Sequence, residues 1–188
     1  MKRSVKDKNI LDDFCIRFCE IIKKHTNYIV VSGFVAISSG RIRGTEDIDM
    51  IIPRINKELF FKIHNDLITN NFVCTQTDNP ELIYDDYLDE NIPIRYVLND
   101  QPLPEMEFKL SKDELDEYQL KTRTKLPLTG LDVWFSSVEV NIAFKEELLR
   151  SDKDIEDAKF LRVVYEDIID EDEINKVKNM IKNYRLSR

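Results

Sequence analysis

The chain has 188 residues, 42% hydrophobic, with a formal net charge of −8 from 28 basic and 36 acidic residues. That is enough chain for one domain with a real buried core, and its acidity argues against broad DNA or RNA binding, which needs a basic surface. No apolar run approaches the roughly 20 residues that span a bilayer, and the opening MKRSVKDKNILDDF lacks the apolar stretch of a signal peptide, so a cytoplasmic protein with no membrane partner is expected.

Taken in order, residues 10–25 read as an amphipathic helix, with Ile10, Leu11, Phe14, Phe18, Ile21 and Ile22 at three- and four-residue steps. Cys15 and Cys19 share that helix, and their apolar neighbours favour packing over a metal pair. Three cysteines with no C-x-x-C spacing suit reduced thiols. Residues 28–31 read as a buried strand. After Pro53, Asn56 is placed to cap a helix over 57–69, with Leu59, Phe60, Ile63 and Leu67 inward. A short strand over 72–75 follows. Asn79-Pro80 opens a helix through 91, with Leu82, Ile83, Tyr87 and Leu88 as its inner face.

Residues 92–98 read as a strand pushed to a sheet edge by Pro93, and 99–104 as a polar turn. Over 105–110 the chain alternates: Glu105, Glu107 and Lys109 on one face, Met106, Phe108 and Leu110 on the other. Ser111 and Glu114 are spaced as a capping box. Lys121, Arg123 and Lys125 read as a solvated basic turn, and 126–134 as a strand pair about Thr129-Gly130. From 137 the pattern is helical in three segments, opened near Ser137, Asp152 and Asp170, with Ile142, Ala143, Leu148 and Leu149 available for burial and residues 184–188 a loose tail. This suggests a core over 1–136 with a helical region over 137–188 packed on it.

The chemistry concentrates in residues 28–53. An apolar strand ends in Ser32-Gly33; Arg43 and Thr45 follow; then Asp47 and Asp49 open a second apolar run. Residues two apart on a strand share a face, so the two acids stand side by side. They repel unless a cation lies between them. A small-residue turn after a strand offers backbone N–H groups to phosphate. Metal carboxylates opposite a phosphate turn point to phosphoryl or nucleotidyl transfer.

This pattern (strand, small-residue turn, Arg and Thr, Asp-x-Asp) resembles the nucleotidyltransferases of the DNA polymerase β type, and is most similar to the minimal nucleotidyltransferase and AbiEii toxin kind. The resemblance implies an α/β (α+β) fold, a mixed β-sheet flanked by helices with further helices at the C-terminus. It implies an NTP substrate, two Mg²⁺ ions and three carboxylates: Asp47, Asp49 and a third from a later strand. Glu107 is the candidate, with Glu105 and Asp132 as alternatives. Ser32 and Gly33 would hold the β- and γ-phosphates, with Arg43 and Thr45 nearby. A second block, Lys145 followed by Lys153-Asp154-x-x-Asp157, resembles the later motif of the AbiEii-like proteins. There Lys145 would reach the triphosphate, and Asp154 or Asp157 would orient that lysine or an arginine. The implied acceptor is a protein or RNA hydroxyl, and the implied partner the other half of a toxin–antitoxin pair. Two departures, Ser32 for Gly and Glu for Asp at the third acid, motivate a competing reading: a catalytically silent binder of such a partner. A metal-dependent phosphohydrolase would use the same acids. His25 and His64 lie in no catalytic pattern.

Overall fold

A computed structural model describes residues 9–45 and 47–187. The basic start of the chain, Glu46 in the Asp-x-Asp approach and Arg188 lie outside the described residues.

The first helix, α1 (Ile10–Ile22), is opened by an Asn9–Asp12 capping box. Strand β1 (Ile29–Val31) leads into a short helix, α2 (Gly33–Ser38), and β2 (Asp47–Ile52). Asn56 accepts from Leu59 N and caps α3 (Lys57–Thr69), as its position after Pro53 predicts. Then come β3 (Phe72–Cys74) and α4 (Pro80–Leu82), which runs into a π-helical turn (Ile83–Leu88). After it lie β4 (Ile94–Leu98), β5 (Gln101–Leu110) and α5 (Glu114–Lys121). The chain ends in α6 (Val138–Ala143), which passes into a second π-helical turn (Phe144–Leu149), then α7 (Asp152–Val164) and α8 (Glu171–Leu186).

The five strands form one mixed sheet in the order β1-β2-β5-β4-β3. Only the central pair, β2 and β5, is parallel. Alternation then sorts the side chains. Ile48, Met50, Ile52, Met106, Phe108 and Leu110 enter the core, while Asp47, Asp49, Glu105, Glu107 and Lys109 take the other face. On the apolar face Phe18 of α1 meets Phe72, Tyr96 and Phe108 with ring centroids 5.2–6.3 Å apart. Cys15 and Cys19 are buried here, their sulfurs 3.9 Å apart; burial pushes the Cys15 thiol well above the usual range. On the acid face Ile29, Val31 and Ile51 form a small cluster against Leu120 of α5.

Several expectations are corrected. Strand β4 lies between β5 and β3, not at the edge; Pro93 precedes its first paired residue, so no ladder N–H is lost. The turn into β5 is confined to Asn99-Asp100, because Gln101 already pairs with Leu98. Asp113, not Ser111, caps α5, accepting from Leu115 N and Asp116 N. Residues 126–134 form no strand pair; Thr129 Oγ1 donates to Leu126 O in a turn, and the only pairing nearby is through Phe135, bridged to Thr124 and Val30. Leu82 and Leu149 are exposed rather than inward, and residues 184–186 continue α8 rather than fraying. The Arg123 and Lys125 cations lie 4.9 and 4.7 Å from the centre of the Trp134 ring, so the basic turn has an aromatic support.

Candidate active site

The parallel register brings the acids together. Asp47 is level with Glu105, and Asp49 with Glu107. Neighbouring strands are about 4.8 Å apart, so each pair stands carboxyl beside carboxyl. Burial, and next the adjacent Asp47, push the Glu105 carboxyl above the usual range; burial and Asp49 do the same to Glu107. Both third-acid candidates on β5 thus face the Asp-x-Asp pair. Asp132, the remaining alternative, is 87% exposed, outside the sheet and paired with Lys125.

Two cations that the sequence reading passed over also reach these acids. Arg95, level with Glu107 on β4, places Nε 2.8 Å from Glu105 and Nη2 3.0 Å from Glu107. Lys109 Nζ lies 3.7 Å from Asp49 and 3.8 Å from Glu107. The alternation over 105–110 already put Lys109 on the acid face. Nothing local marks Arg95, whose partners depend on which strands pair.

Opposite the acids the chain turns through Ser32, whose φ of 64° and ψ of −138° belong to glycine's territory. Gly33 makes room in a different way. A Cβ there would lie 1.9 Å from Arg43 Nη2, so the guanidinium rests directly on the turn. Ser32, Gly33, Arg43, Gly44, Thr45, Asp47, Asp49 and Lys153 line one cleft of about 530 Å³. Lys153, from α7, opens the second motif block of the sequence, where the resemblance gave it no role of its own. A second pocket of about 380 Å³ adjoins it at Ser32 and Asp49 and reaches Lys109, Asp116, Phe144 and Lys145.

Asp157 explains how Arg43 is held. Its side chain is fully buried and takes three cations: Arg41 Nη1, Arg43 Nε at 3.3 Å and Lys145 Nζ at 2.8 Å. The Arg43 contact is an ion pair without hydrogen-bond alignment, which leaves that Nε buried and unbonded. Lys145 also reaches Asp154 at 3.2 Å. Its ammonium, on a side chain 1% exposed, is clamped between two carboxylates. Asp154 thus contacts a lysine, and Asp157 the same lysine and two arginines. The two histidines have structural partners: His25 pairs with Asp66, and His64 Nδ1 meets the buried Tyr96 hydroxyl at 2.8 Å.

Among the described residues no group of three or more His, Cys, Asp or Glu side chains is gathered closely enough to cage a metal ion. The donor chemistry nonetheless suits a hard divalent cation. Oxygen donors are crowded on one face, where burial first and the neighbouring aspartates next raise the β5 carboxyls.

No protein-family model matches the chain, and no curated protein sequence does. Solved structures do. ANT(2'')-Ia, an antibiotic-resistance factor studied in solution, aligns with a TM-score of 0.54 at 13% identity over 94% of this chain and 95% of its own. The same protein in complex with adenylyl-2''-tobramycin gives 0.57 at 13% over 94% and 99%. An antigenic nucleotidyltransferase-like protein from Paracoccidioides brasiliensis gives 0.56 at 17% over 94% and 89%. At these identities the likeness is one of architecture: the chain has the nucleotidyltransferase fold, a mixed sheet of five strands flanked by helices.

Proposed function

We propose that the protein is a Mg²⁺-dependent nucleotidyltransferase that moves a nucleoside monophosphate from an NTP onto an acceptor hydroxyl. The observation that carries this reading is the Asp47–Asp49 pair, level with Glu105 and Glu107 and opening on the same cleft as Ser32, Gly33, Arg43, Thr45 and Lys153. Asp47 and Asp49, with Glu107 level beside Asp49, are the residues that would hold Mg²⁺ on the aspartate side, and the ion when bound stabilises charge on the reacting phosphoryl group.

The remaining roles fall to the chain itself. Arg43 and Lys153 offer positive charge to the triphosphate from the side opposite the acids. The Ser32 hydroxyl, with Thr45 beside it, is placed to donate to phosphate oxygens. Glu107, whose carboxyl is held above its usual range by burial and then by Asp49, serves as the base. It takes the proton of the attacking hydroxyl as the new O–P bond forms and pyrophosphate leaves. Asp157 and Asp154 act as positioning residues, and Lys145 with them, since its ammonium is already engaged.

For the acceptor, resemblance to the AbiEii kind favours a protein or RNA hydroxyl and a place in a toxin–antitoxin pair in the cytoplasm. The adenylyl-2''-tobramycin bound by one similar structure adds a small-molecule hydroxyl to the classes to be tried. The experiment supplies each α-labelled NTP singly with Mg²⁺ and cell extract, and follows label into protein, RNA and small molecules. Wild type is expected to label one of these classes, and Asp47→Ala/Asp49→Ala to lose at least about 100-fold, the scale set by electrostatic stabilisers of a transition state. Equal labelling by both proteins overturns the proposal. A second reading, a silent member of the fold that acts by binding a partner, draws support from Arg95 and Lys109 already neutralising part of the acid cluster. It predicts partner binding that survives the double substitution, with no affinity for NTP.

A further inference from the structure

The acid face carries its own counter-charge, arranged unevenly. Arg95 approaches from β4 and bridges the two glutamates on the side away from β2. Lys109 does something different. It follows Glu107 by one step on the same face of β5, and its ammonium lies within 3.8 Å of both Asp49 and Glu107. Those two carboxylates are level across the parallel pair. The ammonium therefore touches the two acids, one from each strand, that a second divalent ion would need to share. Of the four negative charges of Asp47, Asp49, Glu105 and Glu107, Arg95 and Lys109 offset two, and the remaining two match a single divalent cation. A second ion brought to Asp49 and Glu107 would meet a fixed positive charge at contact distance, where like charges repel strongly even in a partly screened cleft.

Building on the nucleotidyltransferase reading, we infer that the cleft takes one divalent ion, on Asp47 and Asp49, and that the Lys109 ammonium takes the electrostatic place of the second. The arrangement suits Mg²⁺, which commonly binds through one or two carboxylates and completes its shell with phosphate and water oxygens. Lys109 is thus a positioning residue: it keeps Asp49 and Glu107 together at the junction with the second pocket, whose lining it shares with Asp113 and Asp116. It also leaves Glu107 free of an ion and able to receive a proton.

The test counts ions rather than turnover. The full chain is titrated with Mn²⁺ in the presence of the α,β-methylene analogue of each ribonucleoside triphosphate, supplied singly, and bound Mn²⁺ is read from its electron paramagnetic resonance signal. Wild type is expected to bind one Mn²⁺ per chain, and Lys109→Arg, which keeps the charge, also one. Lys109→Met is expected to bind two, with the broadened signal of a close pair. Two ions on wild type overturn the inference and leave the transferase reading standing. One ion on Lys109→Met overturns the role given to Lys109. No Mn²⁺ on wild type with any analogue overturns the inference and the transferase reading together. The wild-type count decides the ion number even where a variant fails to fold.

Discussion

Ser32 and Gly33 are neighbours with opposite conformational needs. Ser32 sits where an L side chain is strained, at a cost of about 1–3 kcal/mol. Gly33 has no such φ, yet the Arg43 guanidinium occupies the space a Cβ would need. Ser32→Gly should therefore stabilise the fold by about 1 kcal/mol after the added freedom of the unfolded chain is deducted, measured by urea denaturation. Gly33→Ala should displace Arg43 and weaken NTP affinity, measured by calorimetry; unchanged affinity would show that the turn and the arginine are not coupled. His64 is a second residue-scale case. It is buried against Tyr96, and burial lowers its pKa. In the unfolded chain the imidazole protonates below about 6.5, while the folded protein still holds it neutral, so the unfolded state binds more protons. Stability should fall as pH drops from there toward the folded value and then level. His64→Gln should lose that share of the pH dependence in thermal melts recorded between those limits.

At the scale of elements, α7 anchors the loop that carries Arg41 and Arg43. The anchor is one buried carboxylate with three cations around it. Asp157→Asn removes the shared carboxylate, leaving Lys145 to Asp154 and Arg41 to Glu156, and breaking a buried pair in this way costs about 3–5 kcal/mol. A variant that melts like wild type would refute the anchor. The helices were readable because each carries its own signal: Asn56, Ser137 and Asp170 are side chains that accept from the backbone N–H groups their helices leave free. The face of β5 was readable for the same local reason, since Glu105, Glu107 and Lys109 alternate with Met106, Phe108 and Leu110. Residues 126–134 were misread because apolar residues about a Thr-Gly turn look alike whether their backbone pairs with itself or, as at Thr124, Val30 and Phe135, with remote segments. Pro93 misled for a related reason, since its effect depends on where the strand's first hydrogen bond falls.

At the scale of the molecule, the division into 1–136 and 137–188 meets a single core. Phe34 and Phe135 share it with Val140 and Ile142 of α6, Leu161 of α7 and Ile174, Val177 and Ile181 of α8. Asp157 and Tyr165 of the C-terminal helices also reach back to Arg41 and Ser39. A chain ending at residue 136 would expose that apolar surface, and at about 25 cal/mol per Å² the loss exceeds the few kcal/mol by which small proteins are stable. It should give no cooperative melt by circular dichroism, and a sharp transition would establish the first 136 residues as an independent unit.

The sequence by itself determined the longer helices, the faces of the strands and the presence of Asp47 and Asp49 after a small-residue turn, because capping and alternation are written in neighbouring residues. Only the tertiary structure decided that Glu105 and Glu107 both stand beside those aspartates, that Arg95 and Lys109 enter among them, and that Asp157 holds Arg43 over Gly33. Strand pairing and helix docking join residues separated by tens of positions, and the energy that selects those contacts is spread over the whole core.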